Sequence, residues 1–203
     1  MCENDSTIKF DVTNNEAKIP YAYIKGNETV VIIKAGKGGD YLGYENKYLQ
    51  IAHNLNEKHG YTVVCISNPM EAPLDFSDAD IISKISEEMN IRTPKLHLMG
   101  TSDGAIKGLE LLSKSVQIKS LLLVNMPLMI NYVKNLKHIT SHPDAKVTFV
   151  FGNKDPSFNY LPFLASRKIP NVNIVTVEGA DHNFTGMLRD YIKIATDFFD
   201  NID

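Results

Sequence analysis

The sequence has few cysteines, no long apolar run and no excess of basic residues, and each absence excludes a class of protein. Two cysteines in 203 residues, Cys2 and Cys65, are too few for a disulfide framework. No segment approaches the run of about 18 apolar residues that a membrane-spanning helix requires. A formal net charge of −3 provides no basic surface for nucleic acid or acidic lipid. We therefore expect neither a nucleic-acid partner nor a membrane partner.

The length, the cysteines and the first residues predict one cytoplasmic domain. Residues 1–6 are polar and acidic, without the basic start and apolar stretch of a secretory signal peptide. Cys65 lies in the apolar run at residues 63–66, which is typical of a small buried side chain. A hydrophobic content of 43% in a chain of this length fits one core. We expect a poorly ordered tail at residues 1–7 and a single domain at residues 8–203.

Short apolar runs alternate with helical patterns along most of the chain. Continuous runs rich in Val, Ile and Leu are typical of strands that are buried on both faces of a parallel sheet. The alternation predicts the α/β class, with a mostly parallel sheet and helices on both of its faces. The last helical pattern extends from Phe184 to Phe199, and a shorter one is expected at residues 128–136. The predicted strands are residues 8–12, 19–24, 29–33, 61–66, 95–99, 120–124, 146–151 and 172–177.

A serine flanked by glycines follows the run at residues 95–99, in the sequence Gly100-Thr101-Ser102-Asp103-Gly104. The pattern G-x-S-x-G between a strand and a helix is typical of a nucleophile elbow, a sharp turn that exposes a serine hydroxyl. The residues two before and two after the serine crowd such a turn, so only a very small side chain fits there. The alternative is that Ser102 is an ordinary turn residue.

A carboxylate and a histidine follow the last two predicted strands. Asp155 lies in Gly152-Asn153-Lys154-Asp155, and His182 lies in Gly179-Ala180-Asp181-His182. Because ligands of an open α/β sheet bind beyond the carboxyl ends of its strands, we expect both side chains to lie near Ser102. The alternatives are a turn-forming role for Asp155, ahead of a proline, and a capping or packing role for His182.

With these residues the chain resembles a small α/β-hydrolase fold protein over nearly its whole length. The resemblance implies that Ser102 is the nucleophile, His182 the base and Asp155 the acid of a catalytic triad. Some members of the family place the acid after the preceding strand, where this chain has Asn125. The connection at residues 126–145 has room for little more than one helix, so we expect no separate cap domain.

The resemblance also implies an oxyanion hole that is formed by two backbone N–H groups. One belongs to the residue after the nucleophile, which is Asp103. The other comes from the loop after the third strand, which reads Ala35-Gly36-Lys37 and makes the N–H of Lys37 the expected donor. The histidine that the family usually carries in this loop is absent. The side chain of Asp103 is expected to point away, since its charge would oppose the developing negative charge.

These residue types supply what the cleavage of an ester requires. An imidazole with an ordinary pKa of about 6.5 can take the serine proton and return it to the leaving group. The carboxylate orients the ring, and the N–H donors stabilise the tetrahedral intermediate. The sequence therefore predicts a serine hydrolase that cleaves an ester or thioester of a small acyl substrate through an acyl-enzyme on Ser102, without a metal or organic cofactor.

The sequence leaves three alternatives to this predicted function. Amide cleavage or acyl transfer would use the same triad, and a non-catalytic protein of the same fold would bind a ligand or partner instead. A Rossmann-like binding protein is disfavoured because the sequence has no G-x-G-x-x-G motif. His138 and His142 have the spacing of a metal pair, but no third ligand is evident and a surface loop is expected there. The acyl length, the leaving group and the oligomeric state are left open.

Overall fold

The computed structural model describes residues 7–13, 18–71, 79–88, 90–114 and 118–202. Within these ranges eight strands form one sheet, and helices connect most of them. The strands are β1 (Ile8–Val12), β2 (Pro20–Ile24), β3 (Thr29–Lys34), β4 (Thr62–Ile66), β5 (Lys95–Thr101), β6 (Ile118–Val124), β7 (Lys146–Gly152) and β8 (Val172–Val177). The helices are α1 (Lys47–His59), α2 (Ala79–Glu88), α3 (Asp103–Leu112), α4 (Tyr132–Thr140), α5 (Leu161–Ser166) and α6 (Leu188–Phe199), with 3₁₀ turns at Tyr44–Asn46 and Pro156–Tyr160.

The sheet is mostly parallel, as predicted. Its strand order is β1-β2-β4-β3-β5-β6-β7-β8. β2 is antiparallel to both of its neighbours, β1 and β4, whereas all pairs from β4 to β8 are parallel. Each parallel pair requires a crossover, and the helices that supply these crossovers cover the sheet.

Two apolar clusters cover the two faces of the sheet. Every residue of β3 is buried, and its side chains alternate between the clusters because successive residues of a strand point to opposite faces. Val30 and Ile32 pack in the cluster that contains Leu109 of α3. Val31 and Ile33 pack in the cluster that contains residues of α1 and α6. Burial of each such side chain stabilises the fold by about 1.5–3 kcal/mol, which explains why continuous apolar runs formed central strands.

Two helices begin later than the helical pattern predicted. α6 begins at Leu188 instead of Phe184, because Phe184 has a left-handed backbone (φ 58°) that a right-handed helix cannot contain. α4 covers Tyr132–Thr140 instead of residues 128–136, since the residue that precedes it, Asn131, is also left-handed (φ 56°). Residues 1–6 of the predicted N-terminal tail lie outside the described residues.

The connection from β6 to β7 contains α4 and turns. In the part of the chain that the structure describes, no separate cap domain covers the sheet, as predicted. None of the described helices has the length and hydrophobicity needed to span a bilayer.

α3 lies close to the sheet because two of its residues have no Cβ atom. A Cβ on Gly104 would lie 2.4 Å from the carbonyl oxygen of Ala35 and 2.5 Å from that of Lys34. A Cβ on Gly108, one turn later, would lie 2.4 Å from Cδ2 of Leu98, the end of a flexible side chain. The first contact is with fixed backbone, whereas rotation of a leucine can relieve the second.

We expect Gly104→Ala to destabilise the protein by about 2 kcal/mol, because the added methyl group forces α3 away from the end of β3. Gly108→Ala is the matched control on the same helix, and its stability should stay within about 1 kcal/mol because better helix propensity offsets the contact with Leu98. Urea denaturation of both variants measures the difference. Equal stabilities would show that the backbone contact at Gly104 does not constrain the helix.

Candidate active site

Ser102 occupies a sharp turn between β5 and α3. Its backbone has φ 54° and ψ −122°, a conformation that costs a non-glycine residue about 1–3 kcal/mol. A Cβ on Gly100 would lie 2.6 Å from the backbone nitrogen of Ala105, and Gly104 packs against the backbone of β3. Close backbone contacts therefore require glycine at both positions of the motif. The sequence pattern predicted this crowding around the serine turn.

Buried hydrogen bonds hold this turn to the sheet and to α6. The N–H of Ser102 donates to the carbonyl oxygen of Val124 at 2.8 Å, which ties the turn to β6. The side-chain hydroxyls of Thr101 and Tyr191 share a hydrogen bond of 2.6 Å, and both residues are buried. These two hydrogen bonds attach the strained turn to β6 and to α6.

Asp155 and His182 are in direct contact. Nδ1 of the His182 ring is hydrogen-bonded to Oδ2 of Asp155, and the backbone N–H of Ser157 donates to Oδ1 at 2.7 Å. Asp155 is buried, whereas the side chain of His182 is about half exposed. This arrangement uses both carboxylate oxygens and leaves Nε2 of the histidine available for a reacting group.

A tight turn presents His182 to Asp155. Oδ1 of Asp181 accepts hydrogen bonds from the N–H groups of Asn183 (3.0 Å) and Thr185 (2.9 Å). The hydrogen bonds from Thr185, with smaller contributions from Asn183 and Phe184, hold the pKa of Asp181 below its ordinary value of 3.8. Asp181 therefore shapes the loop around His182 and does not cap α6.

The serine and the histidine lie at the same edge of the sheet without a mutual hydrogen bond. Among the described residues, neither the Ser102 hydroxyl nor Nε2 of His182 has a hydrogen-bond partner. In enzymes without bound substrate this bond is often long and shortens only in the complex. The structure thus brings together the predicted acid and base, and their catalytic roles stay a prediction.

The loop after β3 lies against the serine. A Cβ on Gly36 would lie 3.4 Å from Cβ of Ser102, so the backbone of this loop contacts the turn. Within the described chain, the N–H groups of Lys37 and Asp103 donate no hydrogen bond. Both predicted oxyanion donors are therefore available to an external acceptor.

Asn68, after β4, is a residue whose role the sequence did not indicate. Its buried amide donates to the carbonyl oxygen of Ala35 (3.2 Å) and to the carboxylate of Asp103 (3.0 Å). Its backbone also exchanges hydrogen bonds with Gly38 and Gly39. Asn68 thus joins the loop after β3 to the serine turn, and its amide pairs with the carboxylate of Asp103. The only sequence signal for Asn68 was an Asn-Pro pair at the end of a predicted strand, and this pattern is typical of an ordinary turn.

His138 and His142 lie at the end of α4, and His97 lies in β5. His142 bonds through Nδ1 to the carbonyl oxygen of His138 at 2.8 Å, and His138 lies in the last turn of α4 instead of the expected loop. His97 is buried and bonds to the hydroxyl of Ser120. The described residues contain no group of three or more His, Cys, Asp or Glu side chains that could hold a metal ion.

A buried lysine packs behind the serine turn. Nζ of Lys47 lies 4.0 Å from the ring centroid of Tyr191, the residue that bonds to Thr101. Burial lowers the pKa of Lys47 to about 8, and the Asp181 carboxylate opposes this shift. A cation–π contact compensates only part of the cost of removing an ammonium group from water.

We expect Lys47→Met to stabilise the protein by about 2 kcal/mol at pH 7, because it removes this desolvation cost. Between pH 8 and about 10 the unfolded chain binds the lysine proton and the folded wild type does not, so wild-type stability rises with pH. The advantage of the variant should therefore shrink across this window, as measured by urea denaturation at each pH.

The matched control is Lys58→Met, which changes an exposed lysine of the same helix. Lys58 forms an ion pair with Asp200, so its removal should not stabilise the protein. An advantage of Lys47→Met that does not change with pH would contradict the assigned burial cost.

The comparisons with known proteins address the fold. No protein-family model and no curated protein sequence matches this chain. Among solved structures, the feruloyl esterase module from Clostridium thermocellum, in complex with sinapinate, has 12% identity and a TM-score of 0.73, covering 99% of this chain and 90% of that one. Est1E from Butyrivibrio proteoclasticus has 15% identity and a TM-score of 0.68, covering 96% and 98%.

An alpha-beta serine hydrolase homologue from Coxiella burnetii is similar to the same extent. It has 15% identity and a TM-score of 0.70, and the similarity covers 94% of this chain and 96% of that chain. Identities this low establish the architecture and not the activity. This chain has the α/β-hydrolase fold.

Proposed function

We propose that the protein is a serine hydrolase that cleaves a carboxylic ester or thioester through an acyl-enzyme on Ser102. The observation that carries the proposal is the contact of Asp155 with His182 at the sheet edge where Ser102 occupies its strained turn. Similarity to esterases over nearly the whole chain supports it.

Asp155 fixes the tautomer of the histidine ring in this mechanism. Because its buried carboxylate accepts a hydrogen bond from the Nδ1–H group, the lone pair of the neutral ring is on Nε2. Nε2 takes the proton of Ser102 as Oγ attacks the acyl carbon, and the imidazolium that forms is stabilised by the carboxylate. The same proton then passes to the departing alcohol or thiol.

The free N–H groups of Lys37 and Asp103 act on the tetrahedral intermediate. They donate to the oxygen that becomes negative as Ser102 attacks, and loss of one such donor typically slows an enzyme by about 100- to 1000-fold. Water then attacks the acyl-enzyme, with His182 again taking and returning a proton. Asn68 keeps the two donors together, since it bonds to Ala35 and to Asp103.

An exposed apolar side chain beside the loop after β3 favours an apolar acyl group. Met70 follows β4 and is 66% exposed. Met70 lies against Gly38 in the loop that carries Lys37. Two of the similar structures are a feruloyl esterase module with sinapinate and Est1E with ferulic acid, so hydroxycinnamoyl esters belong with alkyl esters in a substrate panel. A cytoplasmic location stays a prediction.

Labelling with a fluorophosphonate probe tests the nucleophile. We expect one adduct, located on Ser102 by mass spectrometry, and its loss in Ser102→Ala and His182→Ala. Ser113→Ala, at the end of α3, is the matched control and should label like the wild type. No adduct on folded wild-type protein would favour the alternative of a non-catalytic binding protein.

Asp155→Asn tests the acid. The amide oxygen of asparagine can still accept the N–H of Ser157, so the fold should remain, but turnover of p-nitrophenyl acetate should fall by about 10³- to 10⁴-fold because the ring loses its orientation and charge partner. Thermal melting provides the control for folding. Unchanged turnover would mean that a different carboxylate serves as the acid.

A further inference from the structure

Asn125, directly after β6, contacts both segments that carry the proposed acid and base. Its side chain is fully buried, with 0% exposure. Nδ2 donates to the carbonyl oxygens of Asp181 and His182, each at 3.1 Å, and Oδ1 accepts the N–H of Gly152 at 2.8 Å. Both amide hydrogens and the amide oxygen are therefore used.

Each of these bonds acts on a turn that carries a functional side chain. Gly152 opens the turn of Asp155, since the N–H of Asp155 donates to the carbonyl oxygen of Gly152 at 3.0 Å. The other two bonds hold the backbone of His182 itself and of the residue before it. One buried amide thus spans the two turns whose side chains meet.

The backbone around Asn125 is also part of the same edge. Its own N–H donates to Val150 of β7 at 2.8 Å, and the preceding carbonyl, of Val124, accepts the N–H of Ser102. Asn125 has a left-handed backbone (φ 47°), which asparagine tolerates better than most residues. The side chain therefore starts from a fixed point in the sheet.

We propose that Asn125 is a positioning residue that keeps Nδ1 of His182 on the carboxylate of Asp155. The catalytic consequence of this inference rests on the proposed function, but the hydrogen bonds of Asn125 do not depend on whether the protein is an enzyme. Displacement of a reacting group by about 1 Å can slow an enzyme on the order of 100-fold. Loss of Asn125 should therefore reduce the reactivity of Ser102 by about 10- to 100-fold.

An amide is the side chain that fits these partners. Its two N–H hydrogens meet two carbonyl oxygens, and its oxygen meets an N–H group. A carboxylate of the same shape would face both carbonyl oxygens with a negative oxygen, and an apolar side chain would leave buried backbone groups unpaired. Asn125→Asp and Asn125→Ala thus remove the same two donors in different ways.

The chain offers a matched control in Asn56. This buried residue of α1 donates through Nδ2 to the carbonyl oxygens of Lys25 and Tyr61, at 3.0 and 2.8 Å, near the opposite edge of the sheet. Asn56→Ala removes two buried hydrogen bonds of the same type away from His182. It separates general destabilisation from positioning.

The experiment reads the tautomer of His182 by ¹⁵N NMR and the rate of fluorophosphonate labelling in the wild type, Asn125→Ala and Asn56→Ala. The wild type and Asn56→Ala should show the neutral ring with its proton on Nδ1, and they should label at similar rates. Asn125→Ala should show a mixture that includes the Nε2-protonated ring, and it should label 10- to 100-fold more slowly. If Asn125→Ala does not fold, Asn125→Ser is used with the same expectation, because it removes both amide donors without adding a carboxylate beside His182.

Two results would overturn the inference. One is a wild-type tautomer in the Asn125 variant, and the other is an equal change in Asn56→Ala. If the wild type does not label at all, the proposed hydrolase activity fails, while the tautomer comparison still decides the role of Asn125.

Discussion

The aligned ends of the parallel strands are the constraint on which the candidate site depends. Thr101 pairs with Val124, Val124 with Val150, and Gly152 with Val177. β5, β6, β7 and β8 therefore end at the same level of the sheet, and the residues that follow these strands become neighbours. Ser102, Asp155 and His182 are far apart in the sequence, and this register is what brings their segments to one edge.

Buried amides complete the hydrogen bonding where the sheet ladder stops. At such an edge the backbone groups of the turns lack ladder partners, and a buried polar group without a partner costs about 1–3 kcal/mol. Asn68 and Asn125 supply those partners, one between the loop after β3 and the serine turn, the other between the turns of Asp155 and His182. The hydrogen bonds that satisfy these turns therefore also hold the candidate site in place.

Destabilising features are concentrated behind the same edge. The turn at Ser102 holds a strained conformation, and the ammonium group of Lys47 is buried against Tyr191. Both are held in place by packing of the apolar cluster that contains Tyr48 and Tyr191. A fold with apolar clusters on both faces of its sheet can tolerate these local costs, whereas an isolated loop would relax into an unstrained turn.

The sequence alone predicted the class of fold, because its signals are local, and together with the family resemblance it supplied the three residues of the candidate triad. Apolar runs set the strands, and glycines on either side of Ser102 marked a turn that only they can make. The tertiary structure decided the rest. Asn125 bonds to residues 27, 56 and 57 positions away, and no local pattern distinguishes it from a turn-forming asparagine. The late start of α6 likewise follows from the turn at Asp181. Local sequence patterns indicate on which face of a strand or helix a side chain is buried. The distant backbone groups to which that side chain bonds are determined only when the sheet has assembled.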